Sequence, residues 1–393
     1  MPGVDASHRP VIVSCDGHVA ARTIEYRPYI DSQYLTEFDA WATQVDRHRA
    51  AMLEAREQNR SLFSKEGSDA FAAETGDGRD GEWDSDIRTR EMEADGITCE
   101  VLFPNGAVPF GAFGETAAHH LRSAGNRAYD RWLADFADLL PGRRAALAML
   151  AVHDLDACVA EIQWAAARGM RGVVIPTVPG DGLPPWVDPC YDAIWAACQD
   201  AALPVVVHSG GGNPNFGDYG AVSMMLYATE VTWYARRLFW HLMWAGVMER
   251  HPRPQFVWTE ARCDWVPDTL RLLDGIHAQR FFSHIRETLP LRPSEYWARQ
   301  CHAAASFMGP DESARRYEIG VERMMWGSDY PHIEGTWPNT LKSLRRCFRD
   351  VPIDETHTIL SSNPAAIYRF DVDALQPVAD RIAPTLGELT GTA

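Results

Sequence analysis

The chain has 393 residues, 46% hydrophobic and 23% charged, enough apolar material for one large domain or two ordinary ones with a substantial core. Its formal charge of −17 and the lack of any Lys/Arg run argue against a nucleic-acid backbone or an anionic membrane as partner. Eight cysteines without CxxC spacing resemble neither a disulfide framework nor a zinc ribbon, and read as small buried hydrophobes in a reducing compartment.

The first residues lack the apolar core of a signal peptide. The most apolar long stretch, 221–247, is interrupted by Glu230, Arg236, Arg237 and His241, so a soluble, cytoplasmic protein is expected. The first strand signal, VIVS (11–14), runs into Asp16 and His18, which lie two apart and so share one side of an extended chain. Residues 20–84 are polar, with a helical piece around 40–58 and a Gly/Asp-rich end. They read as an insertion after the first strand and a candidate lid.

Further strand signals follow: TCEVLF (98–103), AALAML (145–150), RGVVI (171–175), PVVVH (204–208), PQFVWT (254–259), AAASF (303–307) and RMMWGS (323–328). Helical patterns occupy 85–95, 115–139, 155–168, 189–202, 222–250, 266–277, 311–319 and 338–348. Runs that are apolar throughout suit parallel strands covered on both faces. Eight of them alternating with helices predict an α/β fold, a (β/α)8 TIM barrel with a long insertion after the first strand. An open doubly wound sheet is the alternative, although no GxGxxG follows any strand. Residues 1–370 read as one barrel domain and 371–393 as a peripheral tail, with PTLGELTGTA disordered.

In such a barrel, catalytic groups sit at the C-terminal strand ends. Asp16 and His18 end the first strand, His208 the fifth, Glu260 the sixth and Asp329 the eighth, with His332 three residues later. Taken singly, an Asp there is a turn former and a His a structural residue. Taken together, two carboxylates and two imidazoles at one barrel end are costly to bury without a cation. The mixed N/O set suits zinc, iron or manganese, and the lack of thiolates disfavours a structural zinc site. One divalent ion is expected, and a second is left open through Glu260, whose other readings are a general base or a partner of Arg262. His153 ends the third strand as a pocket or structural residue, whereas His241 lies within a helix and stays outside the site. Trp233, Trp240 and Trp244 share one helical face, which suits core or subunit interface. HSGGGNPNFGDYG lacks the GK[ST] of a phosphate loop and reads as a flexible loop over the metal.

SCDGHV, VVVHSGGG, GVMERHPRPQFVWTE, MMWGSDYPH and SSNPAAIY, in this order, resemble the amidohydrolase superfamily. The resemblance is to the amidohydrolase-related branch, which includes aminocarboxymuconate-semialdehyde, resorcylate and carboxyvanillate decarboxylases. It spans about residues 11–370 and fails in the insertion. It implies a (β/α)8 barrel with a divalent metal on Asp16, His18, His208 and Asp329. It also implies a homo-oligomer, with the face of Trp233, Trp240 and Trp244 as a subunit interface. Two departures stand out: DxH in place of ExH or HxH, and Glu260 at or beside the place where the decarboxylases carry a proton-handling His. DxH with TE looks more like a longer subgroup presumed hydrolytic. The resulting expectation is a metal-dependent hydrolase that turns an activated water on a small carboxylic-acid derivative (ester, thioester, lactone or amide). Asp329 would take the proton, and His332 or a second metal would assist the leaving group. Non-oxidative decarboxylation of an aromatic or unsaturated acid is the alternative. A catalytically degenerate binding barrel is the alternative of another class.

Overall fold

The computed structural model describes residues 4–58, 65–75, 80–105, 108–111, 117–180, 182–213, 216–217 and 219–392. Parts of the expected insertion, of the glycine loop and of the start of the 115–139 helix lie outside them. Eight strands form one sheet in sequence order: β1 (Val13–Val19), β2 (Cys99–Pro104), β3 (Arg144–Met149), β4 (Gly172–Ile175), β5 (Val205–His208), β6 (Phe256–Thr259), β7 (Cys301–Ser306) and β8 (Met324–Gly327). Every neighbouring pair is parallel. All strand residues but Pro104 are buried, as a sheet covered by side chains inside and helices outside requires.

The ring closes between β1 and the residues just past β8. Asp329 N donates to Asp16 O (2.9 Å), His18 N donates to Tyr330 O (2.7 Å), and Gly17 bridges Tyr330 in parallel. The fold is the (β/α)8 barrel expected from the strand signals. Its closure runs through the residues that carry the candidate chemistry.

The helices follow local rules. The helix Leu155–Arg168 starts at Asp154, whose carboxylate accepts from Ala157 N (3.0 Å), and stops at Gly169 in the left-handed region (φ 86°). The single helix expected over 222–250 is two, Ala221–Trp244 and Val247–Arg250, parted by Gly246 at φ 74°. The one expected over 311–319 breaks at Arg315 into Pro310–Ala314 and Arg316–Ile319. Within 20–84, Tyr26 and Phe38 reach the core, while most of the helix Leu35–Glu57 faces solvent. Trp240 and Trp244 pack against the core, whereas Trp233 is 46% exposed. Cys190 alone of the eight cysteines is exposed, and all eight are free thiols. No helix among the described residues is long and apolar enough to cross a membrane.

The disorder expected of PTLGELTGTA gives way to a helix at Leu386–Thr390, and the segment 371–392 packs on the barrel. Helices Val372–Ile382 and Leu386–Thr390, with the capping Ala383 between them, bury Leu375, Ala379, Ala383, Leu386 and Leu389. Leu386 N and Gly387 N donate to His8 O and Ala6 O (2.9 and 2.8 Å), and Asp350 N donates to Thr390 O (3.0 Å). The apolar positions are spaced for a helix face, but the run is too short and too interrupted by Pro and Gly to announce burial. Truncation after Phe370 is therefore expected to lower the thermal midpoint by roughly 5 °C or more, because it strips several buried apolar side chains from the core. Calorimetry of the truncated chain checks this; an unchanged midpoint would show that the packing adds no stability.

Candidate metal centre

The β1–β2 register shifts between Ser14 and Gly17, an irregularity of the kind that re-aims side chains. Asp16 and His18 both turn to the barrel mouth there. Asp16 is fully buried, with Oδ1 3.2 Å from Nε2 of both His18 and His208. Its Oδ2 accepts a short hydrogen bond from Ser306 Oγ at the end of β7. Asp329, also fully buried, places Oδ1 3.2 Å from His18 Nε2 and 2.8 Å from His332 Nδ1. The ring of His332 stacks on that of His18 (centroids 4.0 Å apart), and its Nε2 lies 3.2 Å from Asn105 Oδ1 past β2.

Glu260 and Asp329 are non-glycine residues in the left-handed region, at φ 54° and 60°. Glu260 is held there by its own N–H to Ala304 O (3.2 Å) and by Ser209 Oγ donating to its carbonyl (2.9 Å). Its carboxylate reaches His208 Nδ1 at 3.4 Å. Arg262 does not pair with it, because the guanidinium is taken up by Asp264 (3.2 Å) and Asp311 (3.0 Å). That removes one of the sequence-based readings of Glu260.

Three overlapping groups bring ligand atoms within 4.8 Å of one another: Asp16–His18–His208, His18–Asp329–His332 and Glu260–Asp329–Glu334. All six residues singled out in the sequence thus come together. His153 sits apart from these groups, with Nε2 2.9 Å from Ser123 Oγ and its ring stacked on His119. Sequence reasoning missed Glu334, Ser306 and Asn105. Glu334 lies five residues beyond Asp329 in SDYPHIEG, where a second acid beside DYPH was the available signal. Ser306 and Asn105 are ordinary residues at strand ends and carried none.

The donor set fits a cation. His18 Nδ1 faces Pro104 O (2.9 Å) and His208 Nδ1 faces Ser209 O (2.5 Å), which places the ring N–H on Nδ1 and leaves each Nε2 lone pair directed inward. Among the described residues, His18 Nε2 and both carboxylate oxygens of Asp329 are buried without a well-formed hydrogen bond, their close neighbours being one another, Asp16 Oδ1 and His332 Nδ1. Unpaired buried acceptors that converge in this way are costly unless a positive charge sits between them.

The electrostatics agree. Burial works to raise Asp16, yet His208 and His18 beside it hold its carboxyl far below the usual range. Burial works against charge on His18 and His208, but the facing carboxylates prevail and raise both. Glu260 goes the other way. Burial, with Asp329 and Asp16 nearby and His208 opposing, pushes it up to about 8, while 19% of its side chain stays open to solvent.

The facing carboxylates favour protonated imidazoles on His18 and His208 in the metal-free protein, so a divalent ion competes with protons for the two Nε2 lone pairs. Uptake is expected to release protons, and apparent affinity to strengthen as pH rises from roughly 6 to 8. Calorimetric titration in buffers of different ionisation enthalpy checks this; pH-independent affinity without proton release would contradict it.

Residues 13–370 match the model of the Amidohydrolase family. No curated protein matches the chain in sequence. Among solved structures, an amidohydrolase from Mycobacterium avium subsp. paratuberculosis superposes with a TM-score of 0.69 at 18% identity, over 93% of this chain and 100% of that one. 5-Carboxyvanillate decarboxylase from Sphingomonas paucimobilis superposes with a TM-score of 0.62 at 18% identity, over 92% and 99%. A dihydroxybenzoic acid decarboxylase from Polaromonas, solved with manganese and 2-nitroresorcinol, superposes with a TM-score of 0.64 at 14% identity, over 92% and 97%. At these identities the structural likeness speaks to the fold. With a family match over nearly the whole barrel and the ligand-type side chains gathered at its mouth, the chain belongs to the amidohydrolase family.

Proposed function

We propose that the protein is a metal-dependent carboxy-lyase that removes CO2 without oxidation from a small aromatic or unsaturated carboxylic acid. The observation that carries this reading is the meeting of Asp16, His18, His208 and Asp329 beside Glu260, whose carboxyl burial pushes up to about 8. Full-length likeness to decarboxylases of hydroxylated benzoic acids supports it, and the manganese in one of them makes that ion the first to test. Asp16, His18, His208 and Asp329 would hold the ion. When bound, it supplies positive charge that attracts the substrate's oxygens and steadies charge developing on them.

The chain's own residues do the rest. Glu260 carries the proton that the reaction consumes. As the bond between carbon and carboxylate breaks, its electron pair stays on the carbon, which takes that proton while CO2 leaves. The solvent-open part of the Glu260 side chain lets it regain a proton from water. His332, close to both Asp329 and Asn105, fixes the orientation of the Asp329 carboxylate. Ser306 does the same for Asp16.

Hydrolysis of an ester, thioester, lactone or amide is the second reading. It is favoured by Glu260 standing at or beside the decarboxylases' strand-six His, and by Glu334 as a further carboxylate able to accept a proton from water. The manganese-reconstituted protein is expected to release CO2 from hydroxybenzoates while leaving ester, thioester, lactone and amide panels intact. Turnover on those panels without CO2 release would overturn the proposal in favour of hydrolysis.

Glu260→Gln is expected to lower kcat by about 100-fold or more, within the range of general acid–base contributions, at unchanged metal content. The alkaline fall in kcat, where Glu260 loses its proton, should vanish with it. An unaltered rate and pH profile would remove Glu260 from the reaction.

A further inference from the structure

Beneath the ligand pair of β1 lies a charged residue that touches none of the candidate ligand atoms. Arg88, on the helix Ser85–Ala94, is fully buried. Its Nε and Nη2 donate to Glu100 of β2 (2.8 and 2.7 Å), and its Nη1 donates to His18 O (2.8 Å) and Gly81 O (3.1 Å). The guanidinium lies over the ring of Tyr330, 4.7 Å from its centroid. Tyr330 in turn accepts from His18 N (2.7 Å). His18 is thus held at three points: its N–H by Tyr330, its carbonyl by Arg88 and its Nδ1 by Pro104 O. Only Nε2 is left for the site.

The residue between the two ligands records the same contact. A Cβ on Gly17 would stand 2.8 Å from Arg88 Nη2 and 3.1 Å from Glu100 Oε2. Gly17 is not in the left-handed region, so backbone freedom does not explain it. The guanidinium and carboxylate occupy the space that a side chain would need. Asp-Gly-His is therefore a ligand pair with a gap cut for the ion pair below it.

We infer that Arg88 and Glu100 act as positioning residues, setting divalent-metal affinity through the backbone of His18, and that Gly17 is glycine in order to admit them. The inference rests on the metal-dependent reading above. A pair that served the fold alone would leave metal affinity untouched wherever the protein still folds. A pair that positions His18 changes affinity first, because a small displacement of a ligand weakens coordination before it disturbs the barrel.

The test is Mn(II) titration of the full-length, metal-stripped protein, read by the EPR signal of free Mn(II), alongside the thermal midpoint of the metal-free state. Gly17→Ala and Arg88→Lys are each expected to weaken Mn(II) binding at least about tenfold, within the 10–100-fold range of outer-shell substitutions. The double variant is expected to bind no more weakly than Arg88→Lys alone, because the shorter lysine head vacates the space that the added methyl group needs. If Arg88→Lys does not fold, Gly17→Ala decides by itself.

Binding within twofold of wild type in folded Gly17→Ala would overturn the inference. Additive losses in the double variant would do the same, as would losses matched by an equal fall in metal-free stability. A wild-type protein that takes up no divalent ion would overturn the metal-dependent reading as well, so the two failures are told apart.

Discussion

Two fully buried carboxylates, Asp16 and Asp329, face one imidazole at 3.2 Å, and much of the barrel mouth serves to make that arrangement tolerable. Like charges this close in a low-dielectric site repel strongly unless a positive charge lies between them. Protons on His18 and His208 can supply it, and so can a divalent ion. The two compete for the same lone pairs. That competition sets the charge around Glu260, and through it the protonation that the proposed chemistry uses.

The neighbouring loops spend local strain to complete the set. Glu260 and Arg262 both stand in the left-handed region, and the turn between β6 and its helix is held from behind by Glu312. That buried carboxylate accepts from Cys263 N (2.8 Å) and Gly309 N (3.1 Å), tying the loops after β6 and β7 together. Asp329 is held in the same unfavourable region by its closure bond to Asp16 O and by His332 N donating to its carbonyl (2.9 Å). Strained backbone of this kind persists only where the surrounding structure over-determines it. Here the closing seam of the barrel and a buried carboxylate provide that support.

Much of this was legible in the amino-acid order. VVVH and FVWTE show an apolar strand stopping in a ligand-type side chain, and a parallel barrel gathers such ends at one rim. Asp16, His18, His208, Glu260, Asp329 and His332 could thus be named together before any coordinate was known. The pairing of Glu260 could not. A pairing with Arg262, two residues away, was one of three readings, beside a metal ligand and a general base, yet Asp264 and Asp311 claim Arg262 and Glu260 turns to His208. Sequence proximity ranks partners poorly when both residues sit in a tight turn with positive φ.

The sequence by itself determined the alternation of strand and helix and the polar groups at the strand ends, because burial periodicity and strand termination are local properties. Tertiary structure alone decided the rest. It packed residues 371–392 against the N-terminal segment and brought Glu334 and Ser306 to the candidate ligands. It also slid Arg88 into the space that Gly17 leaves open. Each of these contacts depends on how the barrel closes and how its outer layers dock. Closure joins residues some 300 positions apart, as in Asp16 to Asp329, whose partnership no local pattern encodes.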